Sequence, residues 1–364
     1  MTKHYLHTPK TTVSHLPEKG KISWESPSNI ALIKYWGKKG LQLPRNASLS
    51  ITLKDSVSLV EMDFKKSLQA GGSLDFFFEG KENRPFQERT NKYLKQLIPY
   101  FPFLKQLHLT VNSRNSFPHS AGIASSASSM SAFALCIGSL ETFSPSVVSG
   151  DFLQKASYMA RLGSGSATRS VYGNMAAWGQ HPMLNDSSDL YAIPLNNTLA
   201  SDFLNIRDAV VIVNSKPKPV SSSHGHTLME NHPLAENRIQ QAGANFSKLL
   251  DAINNNDWPQ FSRIVENEAL SLHAMMLSSI PGFTLLQQET LDIIEAVQKF
   301  RETENIPLTF TLDAGPNVHL LYPQTYKDNI HAFIHNQIKP LTENGHIIYD
   351  RMGNGPVLKE MSPV

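Results

Sequence analysis

Residues 118–132, PHSAGIASSASSMSA, place glycine, serine and alanine directly before a helix-compatible segment. The start of a helix leaves backbone N–H groups unpaired and carries the positive end of the helix dipole, so this turn favours an anion such as a phosphate. Gly122 allows close approach of the backbone, and serine hydroxyls are potential Mg²⁺ ligands. No lysine follows the glycine as in a P-loop. A serine-rich cap on a tightly packed helix explains the same residues equally well.

Two further segments combine charged groups with glycine, serine or aromatic residues. In SPSNIALIKYWGKKG, residues 26–40, lysines surround Tyr35 and Trp36, an arrangement able to hold a phosphate or a carboxylate. In RLGSGSATRSVYG, residues 161–173, Arg169 follows two hydroxyls and offers a planar fork suited to the same anions. A solvated lysine-bearing turn and a flexible loop are equally good explanations when each segment is taken alone.

Two single residues are weaker candidates for chemistry. Asp313 lies between an apolar strand and a tight Ala-Gly-Pro turn, where a carboxylate can act as a general base or metal ligand. An isolated aspartate at this position more often bonds to its own backbone. Arg89 follows Gln87 and Glu88 on a helical segment and is within reach of a phosphate, although a lone helix arginine is usually solvated.

The histidines at positions 224, 226 and 232 do not have the spacing of a standard zinc site, and no cysteine pair supports one. We therefore expect a mobile loop there. No nucleophile elbow of the G-x-S-x-G type is present, which disfavours covalent catalysis.

The composition narrows the class of protein. A chain of 364 residues is long enough for two domains, and a formal net charge of +2 gives no reason to expect nucleic acid or an acidic membrane as a partner. The single cysteine, Cys136, lies in an apolar run and is expected to be a buried thiol in a reducing compartment. No signal-peptide core or membrane span is apparent, so we expect a cytoplasmic protein.

These residues must be positioned by a mixture of strands and helices. SLSITL and DSVSLVEM alternate as half-buried antiparallel strands do, whereas AVVIVN, residues 209–214, predicts a strand buried on both faces. Helical spacing predicts helices near residues 87–97, 146–161, 235–255, 258–277 and 284–302. Because strands and helices do not alternate regularly, the fold class is predicted to be α+β.

Taken together, the motifs resemble the GHMP kinase superfamily and, within it, the diphosphomevalonate decarboxylases. The resemblance rests on NIALIKYWGK, LPRNASLSITL, NSFPHSAGIASSAS, RLGSGSATRSVYGNMAAW and TLDAGPN, and it runs from about Ile22 to Tyr322. It implies a two-lobed GHMP kinase fold. The N-terminal lobe would be of the ribosomal protein S5 domain 2 type and the C-terminal lobe ferredoxin-like, with the active site between them.

The resemblance also implies a reaction. Members use ATP and Mg²⁺ to phosphorylate the 3-hydroxyl of mevalonate 5-diphosphate, and loss of phosphate and CO₂ then gives isopentenyl diphosphate, a step of the mevalonate pathway of isoprenoid biosynthesis. Carried over by motif position, Asp313 would be the base at the hydroxyl, Lys34 would lie beside it, and Arg169 would bind the substrate carboxylate. The remaining substrate-binding residues would be Tyr35, Lys38, Arg89, Ser164 and Ser166. The ATP-binding residues would be Asn115, Ser120, Gly122, Ser125 and Ser126, with Ser126 also facing Mg²⁺.

Some residues depart from the family pattern. Arg45-Asn46-Ala47 stands where Thr-Asn-Ser is usual. His119 and Ser120 change the approach to the serine-rich loop, and His319 follows TLDAGPN. An extra arginine and histidine near the cleft leave open a 5-monophosphate or unphosphorylated mevalonate as substrate. The motifs are also compatible with a mevalonate 3-kinase that stops at the phosphate ester, or with a non-catalytic protein that only binds a nucleotide or an isoprenoid phosphate.

The organisation expected from these observations has three parts. Residues 1–20 would form a flexible leader, residues 21–198 an N-terminal ATP-binding GHMP kinase domain, and residues 199–364 a C-terminal GHMP domain. The resemblance further implies a homodimer.

Overall fold

The computed structural model describes residues 12–67, 71–118, 123–141, 143, 150–195, 200–216, 220 and 222–364. Two predicted ATP-binding residues, Ser120 and Gly122, lie outside the described residues, as does His119. The strands are Lys19–Ile33 (β1), Lys38–Lys39 (β2), Leu43–Pro44 (β3), Ser48–Lys66 (β4), Ser73–Phe78 (β5), Lys81–Glu82 (β6), Leu107–Asn115 (β7), Met175–Trp178 (β8), Ala192–Pro194 (β9), Ile206–Val211 (β10), Thr309–Thr311 (β11), Val318–Pro323 (β12), Ile347–Arg351 (β13) and Val357–Pro363 (β14). The helices are Arg84–Leu97 (α1), Ser125–Ser139 (α2), Gly150–Gly163 (α3), Ser201–Leu204 (α4), Ser222–Leu228 (α5), Ala235–Asn254 (α6), Trp258–Leu277 (α7), Gln288–Glu304 (α8) and Lys327–Phe333 (α9).

The first lobe is built on a mixed sheet with the strand order β14-β1-β4-β7-β5-β6, to which β8 and β9 are added beside the first part of β4. The long strands β1 and β4 pair antiparallel along most of their length, while β5 pairs parallel to β7. Helices α2 and α3 pack together and α2 covers β1 and β4. Its alanine-rich sequence allows this close approach, because small side chains keep the helix near the sheet. Cys136 on this helix is fully buried, as predicted.

The prediction of a half-buried strand is wrong for the first part of β4. Residues 48–53 are buried on both faces, and alternation with exposed residues begins only further along the strand. The polar members of this segment do not face water. Ser48 and Ser50 instead accept hydrogen bonds from the buried guanidinium of Arg169. Alternation of polar and apolar residues shows that two faces differ, but it does not show that the polar face is solvated.

The second lobe contains an antiparallel sheet in the order β11-β12-β10-β13. The predicted strand over residues 209–214 overlaps β10, in which every residue except Arg207 is buried. Helix α7 begins where Asp257 accepts a hydrogen bond from the backbone N–H of Gln260 and Pro259 occupies the first turn. Strands β11 and β12 pair antiparallel, and the turn of TLDAGPN connects them. The tight turn between them presents Asp313 toward the first lobe.

The end of the chain returns to the first lobe. Strand β14 pairs antiparallel with β1, from Gly20 opposite Pro363 to Glu25 opposite Val357. The mixture of sheets and helices, with strands grouped rather than alternating with helices, confirms the α+β class.

Candidate functional site

A cavity of about 510 Å³ lies between the strand-turn-strand of TLDAGPN, the residues after β1 and the N-terminal end of α2. Its volume falls within the range of small-molecule sites. Its lining combines aromatic rings, among them Phe76, Phe78 and Phe86, with lysine, arginine and serine side chains. The predicted site residues that line the cavity are Lys34, Tyr35, Lys38, Arg89, Asn115, Ser125, Ser126, Ser164, Ser166, Arg169 and Asp313. Segments 279 residues apart in the chain therefore contribute to one wall.

Arg169 is the most unusual group in this cavity, since its side chain is only 2% exposed but its bonded partners are all uncharged. Its Nε donates to Ser50 Oγ at 3.0 Å, and its Nη2 donates to Asn29 Oδ1 at 3.3 Å. Among the described residues no carboxylate forms an ion pair with it. Burial lowers the pKa of Arg169 to about 10, against the opposing influence of Asp313, so it stays protonated at neutral pH. A buried cation without a bonded anion is a strong site for one.

Lys34 and Asp313 form an ion pair at the same wall. Lys34 Nζ donates to Asp313 Oδ1 at 3.1 Å and to the backbone carbonyl of Ala31 at 2.7 Å. The lysine side chain is 2% exposed, whereas that of Asp313 is 31% exposed and reaches the cavity. Burial lowers the pKa of Lys34, and the neighbouring Asp313 carboxylate opposes that shift. The lysine thus gives the carboxylate a fixed cationic neighbour while leaving part of it accessible to a ligand.

Three residues that support this pair were not predicted from the sequence. Glu268 on α7 is fully buried, accepts the backbone N–H of Lys34 at 2.9 Å, and is bonded by both terminal nitrogens of Arg238. His273, one helical turn further on, donates from Nε2 to the carbonyl oxygen of Asp313 at 3.1 Å. Helix α7 therefore holds both Lys34 and Asp313 through their backbones. The sequence did contain a signal for Glu268 and His273. Both lie among the apolar residues of α7, and a charged or titratable residue at a buried helix position indicates a polar partner.

Tyr35 lies against the Ser164-Gly165-Ser166 segment of RLGSGSATRSVYGNMAAW in the cavity wall. The Tyr35 hydroxyl is buried and has no hydrogen-bond partner among the described residues. It lies next to Gly165, where a Cβ would come within 2.9 Å of it, so glycine is required for the ring to fit. Ser164 and Ser166 lie on either side of this glycine, with their hydroxyls 3.5 Å apart. Buried hydroxyl groups are normally hydrogen-bonded, so the unpaired Tyr35 hydroxyl beside these two serines is available to a hydrogen-bonding ligand.

Lys38 and Arg89 supply the cations at the two ends of this group. Lys38 Nζ donates to Gln42 Oε1 at 3.4 Å, and Arg89 Nη2 donates to the carbonyl of Gly163 at 3.5 Å. Both contacts are long and leave other N–H groups available. Arg89 is exposed to solvent, although it lines the cavity and bonds to Gly163.

The serine-rich loop reaches the cavity through the start of α2. Ser125, Ser126 and Ser129 line it. Ala124, rather than a serine, is the residue that precedes the helix, and no side chain of the described residues caps the first turn. Within the described part of the chain, the first backbone N–H groups of α2 therefore lack the side-chain partner that a serine cap would supply. Ser128, by contrast, is fully buried against Ser58 and is not available to a metal.

Asn115 marks the opposite edge of this part of the cavity. Its side-chain oxygen accepts a hydrogen bond from Ser58 at 2.7 Å, and its backbone N–H donates to the Glu79 carboxylate at 3.0 Å. Asn115 is thus held in place at the end of β7, in line with the start of α2.

The expectation of a mobile histidine loop is wrong for two of the three histidines. His226 lies on α5 and packs against Tyr35 and Trp36, with ring centroids 4.4 and 4.7 Å away. His232 is buried, with Nε2 3.1 Å from the carbonyl oxygen of Met275. The structure gives no description of the His224 side chain. In the described ranges no group of three potential metal ligands is present.

The extra arginine and histidine do not enter the cavity, which corrects the expectation that they lie near the substrate. Arg45 is bonded to the carboxylate of Glu236 and to the carbonyl of Met229. His319 is fully buried in the second lobe, with Nδ1 2.7 Å from a carboxylate oxygen of Asp208. Burial raises the pKa of Asp208 and the histidine opposes that shift. Neither residue lines the cavity.

The two lobes and the cleft between them define the chain as a protein of the GHMP kinase fold. Comparison with known proteins gives the family. A family model described as the diphosphomevalonate decarboxylase-like N-terminal domain matches residues 26–190, and one described as the mevalonate 5-diphosphate decarboxylase C-terminal domain matches residues 209–360. The chain therefore belongs to the diphosphomevalonate decarboxylase family.

Individual relatives agree with this assignment over nearly the whole chain. The diphosphomevalonate decarboxylase of Candida albicans is 28% identical over 91% of this chain and 96% of its own length. The crystal structure of mevalonate diphosphate decarboxylase from Staphylococcus aureus has a TM-score of 0.80 and 30% identity, covering 94% of this chain and 98% of its own. A structure of MDDEF in complex with MVAPP, AMPPCP and magnesium has a TM-score of 0.79 and 28% identity, covering 94% and 99%.

The described part of the chain contains no helix that combines the length and the apolar character needed to cross a bilayer.

Proposed function

We propose that this protein is an ATP-dependent decarboxylase that converts mevalonate 5-diphosphate to isopentenyl diphosphate, phosphate and CO₂. The observation that carries the proposal is the buried Arg169, which has no carboxylate partner among the described residues and shares a cavity wall with the Lys34–Asp313 pair. A phosphoryl-transfer site alone does not need this arrangement. An enzyme that must hold a carboxylate next to a reacting tertiary alcohol does. Family membership supports the same reaction.

In this proposal each of the three charged residues has one task. Asp313 accepts the proton of the 3-hydroxyl, and Lys34 keeps that carboxylate ionised and aligned. Arg169 binds the substrate carboxylate and fixes its plane. When ATP and Mg²⁺ are bound, they supply the phosphoryl group that converts the hydroxyl into a leaving group. The C3–O bond then breaks and phosphate leaves with its electron pair. The C1–C2 bond breaks as well, so that its electron pair forms the C2–C3 double bond and C1 leaves as CO₂.

The surroundings of the start of α2 fit a triphosphate and its metal. We assign Asn115, Ser125 and Ser126 to ATP binding, with Ser126 also as a Mg²⁺ ligand, because no described side chain caps the helix start and serine hydroxyls are oxygen donors. Ser120 and Gly122 complete the proposed loop, although they lie outside the described residues. Phosphoryl transfer depends mainly on positioning and charge neutralisation, which such a loop provides without a P-loop lysine.

The 5-diphosphate tail is assigned to the cationic and hydroxyl-rich wall formed by Tyr35, Lys38, Arg89, Ser164 and Ser166. Support comes from the unpaired Tyr35 hydroxyl and from the two cations whose protein contacts are long. A diphosphate carries enough negative charge and acceptors to use all of these donors, whereas an unphosphorylated substrate would leave most of them unsatisfied.

We also propose a division into an ATP-binding domain of residues 21–198 and a second domain of residues 199–364, preceded by a leader. A homodimer in the cytoplasm is part of the same proposal. The resemblance supports the dimer, and the buried thiol of Cys136 is compatible with a reducing compartment. Light scattering on the purified protein measures the number of subunits directly.

Carboxyl-labelled mevalonate carrying zero, one or two 5-phosphates, each with ATP and Mg²⁺, tests the function. We expect CO₂ and ADP in equal amounts from the 5-diphosphate and little turnover of the other two compounds. ADP without CO₂, together with a stable 3-phosphate, would instead identify a kinase. Binding without either product would identify a non-catalytic protein.

A further inference from the structure

His226 lines the cavity at the side of the predicted diphosphate wall, and no role for it follows from the motifs. Its ring lies against Tyr35 and Trp36, with centroid separations of 4.4 and 4.7 Å. Next to it, Gly225 contacts Trp36 so closely that a Cβ at this position would lie 2.4 Å from the indole. Helix α5 is therefore fitted onto the residues that follow β1 and holds the imidazole at one place.

The tautomer of His226 is set by a backbone contact. The N–H of Gly37 donates to Nδ1 at 3.0 Å, so this nitrogen must be unprotonated. Burial, together with the nearby Lys38, lowers the pKa of His226 to about 3, which keeps the ring neutral at physiological pH. The proton of the neutral ring is therefore on Nε2. Among the described residues, no acceptor bonds to that N–H, which leaves it available to a ligand in the cavity.

A second unused donor lies beside it. The buried Tyr35 hydroxyl has no partner among the described residues, and its ring is in contact with the imidazole. The ammonium group of Lys38 acts electrostatically on His226, and Lys38 lines the same cavity. Two neutral donors beside an ammonium group make a suitable site for an anionic oxygen, because hydrogen bonds to charged acceptors are stronger than those between neutral groups.

We propose that His226 is a substrate-binding residue whose Nε2–H donates to a phosphate oxygen of the 5-diphosphate. This inference rests on the proposed function, since it takes the diphosphate to lie along the wall formed by Tyr35 and Lys38. A neutral imidazole adds specificity at this point because it donates in one fixed direction, which a flexible lysine does not.

Two substitutions separate donation from packing. His226→Asn reaches only as far as Nδ1, so its amide oxygen can still accept from Gly37 but no donor extends to the Nε2 position. His226→Gln reaches as far as Nε2 and places an amide N–H there. Both variants lose the aromatic contacts equally. His181→Asn is the control, since His181 also stacks on an aromatic ring, that of Phe246, but lies outside the cavity.

The measurement is the affinity of each protein for mevalonate 5-diphosphate and for mevalonate, by titration calorimetry without ATP, with thermal unfolding as a check on folding. We expect His226→Asn to weaken 5-diphosphate binding by about tenfold or more, whereas His226→Gln and His181→Asn stay within about threefold of the wild type. Binding of mevalonate should not respond to any of the three changes.

Equal weakening by His226→Asn and His226→Gln would overturn the inference in favour of a packing role. No weakening by His226→Asn, or an equal effect on mevalonate, would overturn it as well. If the wild-type protein fails to bind the 5-diphosphate and releases no CO₂ from it, the proposed function itself is wrong. Failure of the inference alone would leave wild-type CO₂ release intact.

Discussion

Replacing Arg169 by glutamine is the sharpest test of the proposed site. Glutamine can still donate one hydrogen bond toward Asn29, Ser48 or Ser50, so the local structure keeps part of its bonding, but the buried positive charge is lost. If this guanidinium binds the substrate carboxylate, the variant leaves that carboxylate in a cavity without its counter-charge. The substitution therefore acts on the complex more than on the free protein.

The size of the effect follows from the burial of Arg169, which is 2% exposed. Truncating one partner of a buried, hydrogen-bonded charge pair costs about 2–5 kcal/mol. At about 1.4 kcal/mol for each factor of ten, kcat/KM for CO₂ release should fall by about 30-fold to a few thousandfold. ATP binding to the free enzyme should change by less than about threefold, because the start of α2 is unaltered.

The matched control is Arg161→Gln. Arg161 is also 2% exposed, but it donates to the carbonyls of Leu190 and Leu41 and does not line the cavity. The assay is CO₂ release from carboxyl-labelled mevalonate 5-diphosphate, with ADP measured in the same samples. A kcat/KM for Arg169→Gln within about fivefold of the wild type would refute the assigned role. Equal losses in the two variants would attribute the effect to lost structure.

Three further outcomes are expected. Asp313→Asn should lower kcat by about 10²–10⁴-fold, the usual contribution of a general base, with the ATP dissociation constant within about threefold; turnover within tenfold of the wild type would contradict the assignment. Glu268→Gln should lower the free energy of unfolding in urea by about 3–5 kcal/mol, because it leaves the buried Arg238 without its anion. Glu360→Gln, at the exposed pair with Lys21, should change it by less than about 1 kcal/mol, and similar losses in the two variants would show that burial does not set the effect. The folded-state pKa of His226 lies at about 3, below the unfolded value near 6.5, so the unfolded chain binds the proton first as pH falls and stability decreases. Between pH 6.5 and 5 the loss of unfolding free energy is about 1.6 kcal/mol. This loss should disappear in His226→Gln, and an unchanged slope in that variant would assign it to other groups.

The sequence predicted the helices and the apolar strands because their periodicity reports burial directly. It did not predict the partners of Arg169, since Ser48 and Ser50 have the same alternation as a solvated strand face. The covering groups come from distant parts of the chain: Leu49, Ile51 and Leu53 pack in a core cluster with residues of the second lobe, and Arg169 covers the serine face. The return of β14 to the edge of β1 was likewise hidden, because strand pairing over more than 300 residues leaves no local pattern.

The motifs predicted the residues that line the cavity better than they predicted the residues that hold these side chains in position. The resemblance assigned the roles of Asp313 and Lys34 and predicted that they lie close together, and the two side chains do form one ion pair. Glu268, His273 and His226 were missed because each acts on the backbone of a motif residue or its neighbour, an interaction that any sequence can accept. The signal for the first two was a charged or titratable residue on a buried helix face. For His226 the misleading signal was the serine-rich segment before it, which resembles a loop.

The charge balance of the cleft explains why the substrate should complete it. Lys34 and Arg169 place two cations at one wall, both almost fully buried, whereas Asp313 is the carboxylate bonded to Lys34 and Glu268 is already engaged by Arg238. Burial opposes the charged form of both cations, and Asp313 only partly offsets this cost. A substrate carboxylate bound at Arg169 would neutralise the excess positive charge. In a cavity that excludes water, it would also interact with the guanidinium more strongly than it does with water. The free energy that burial of Arg169 costs in the free protein is then recovered when the substrate binds. It is recovered through the substrate carboxylate, which is the group that must leave as CO₂.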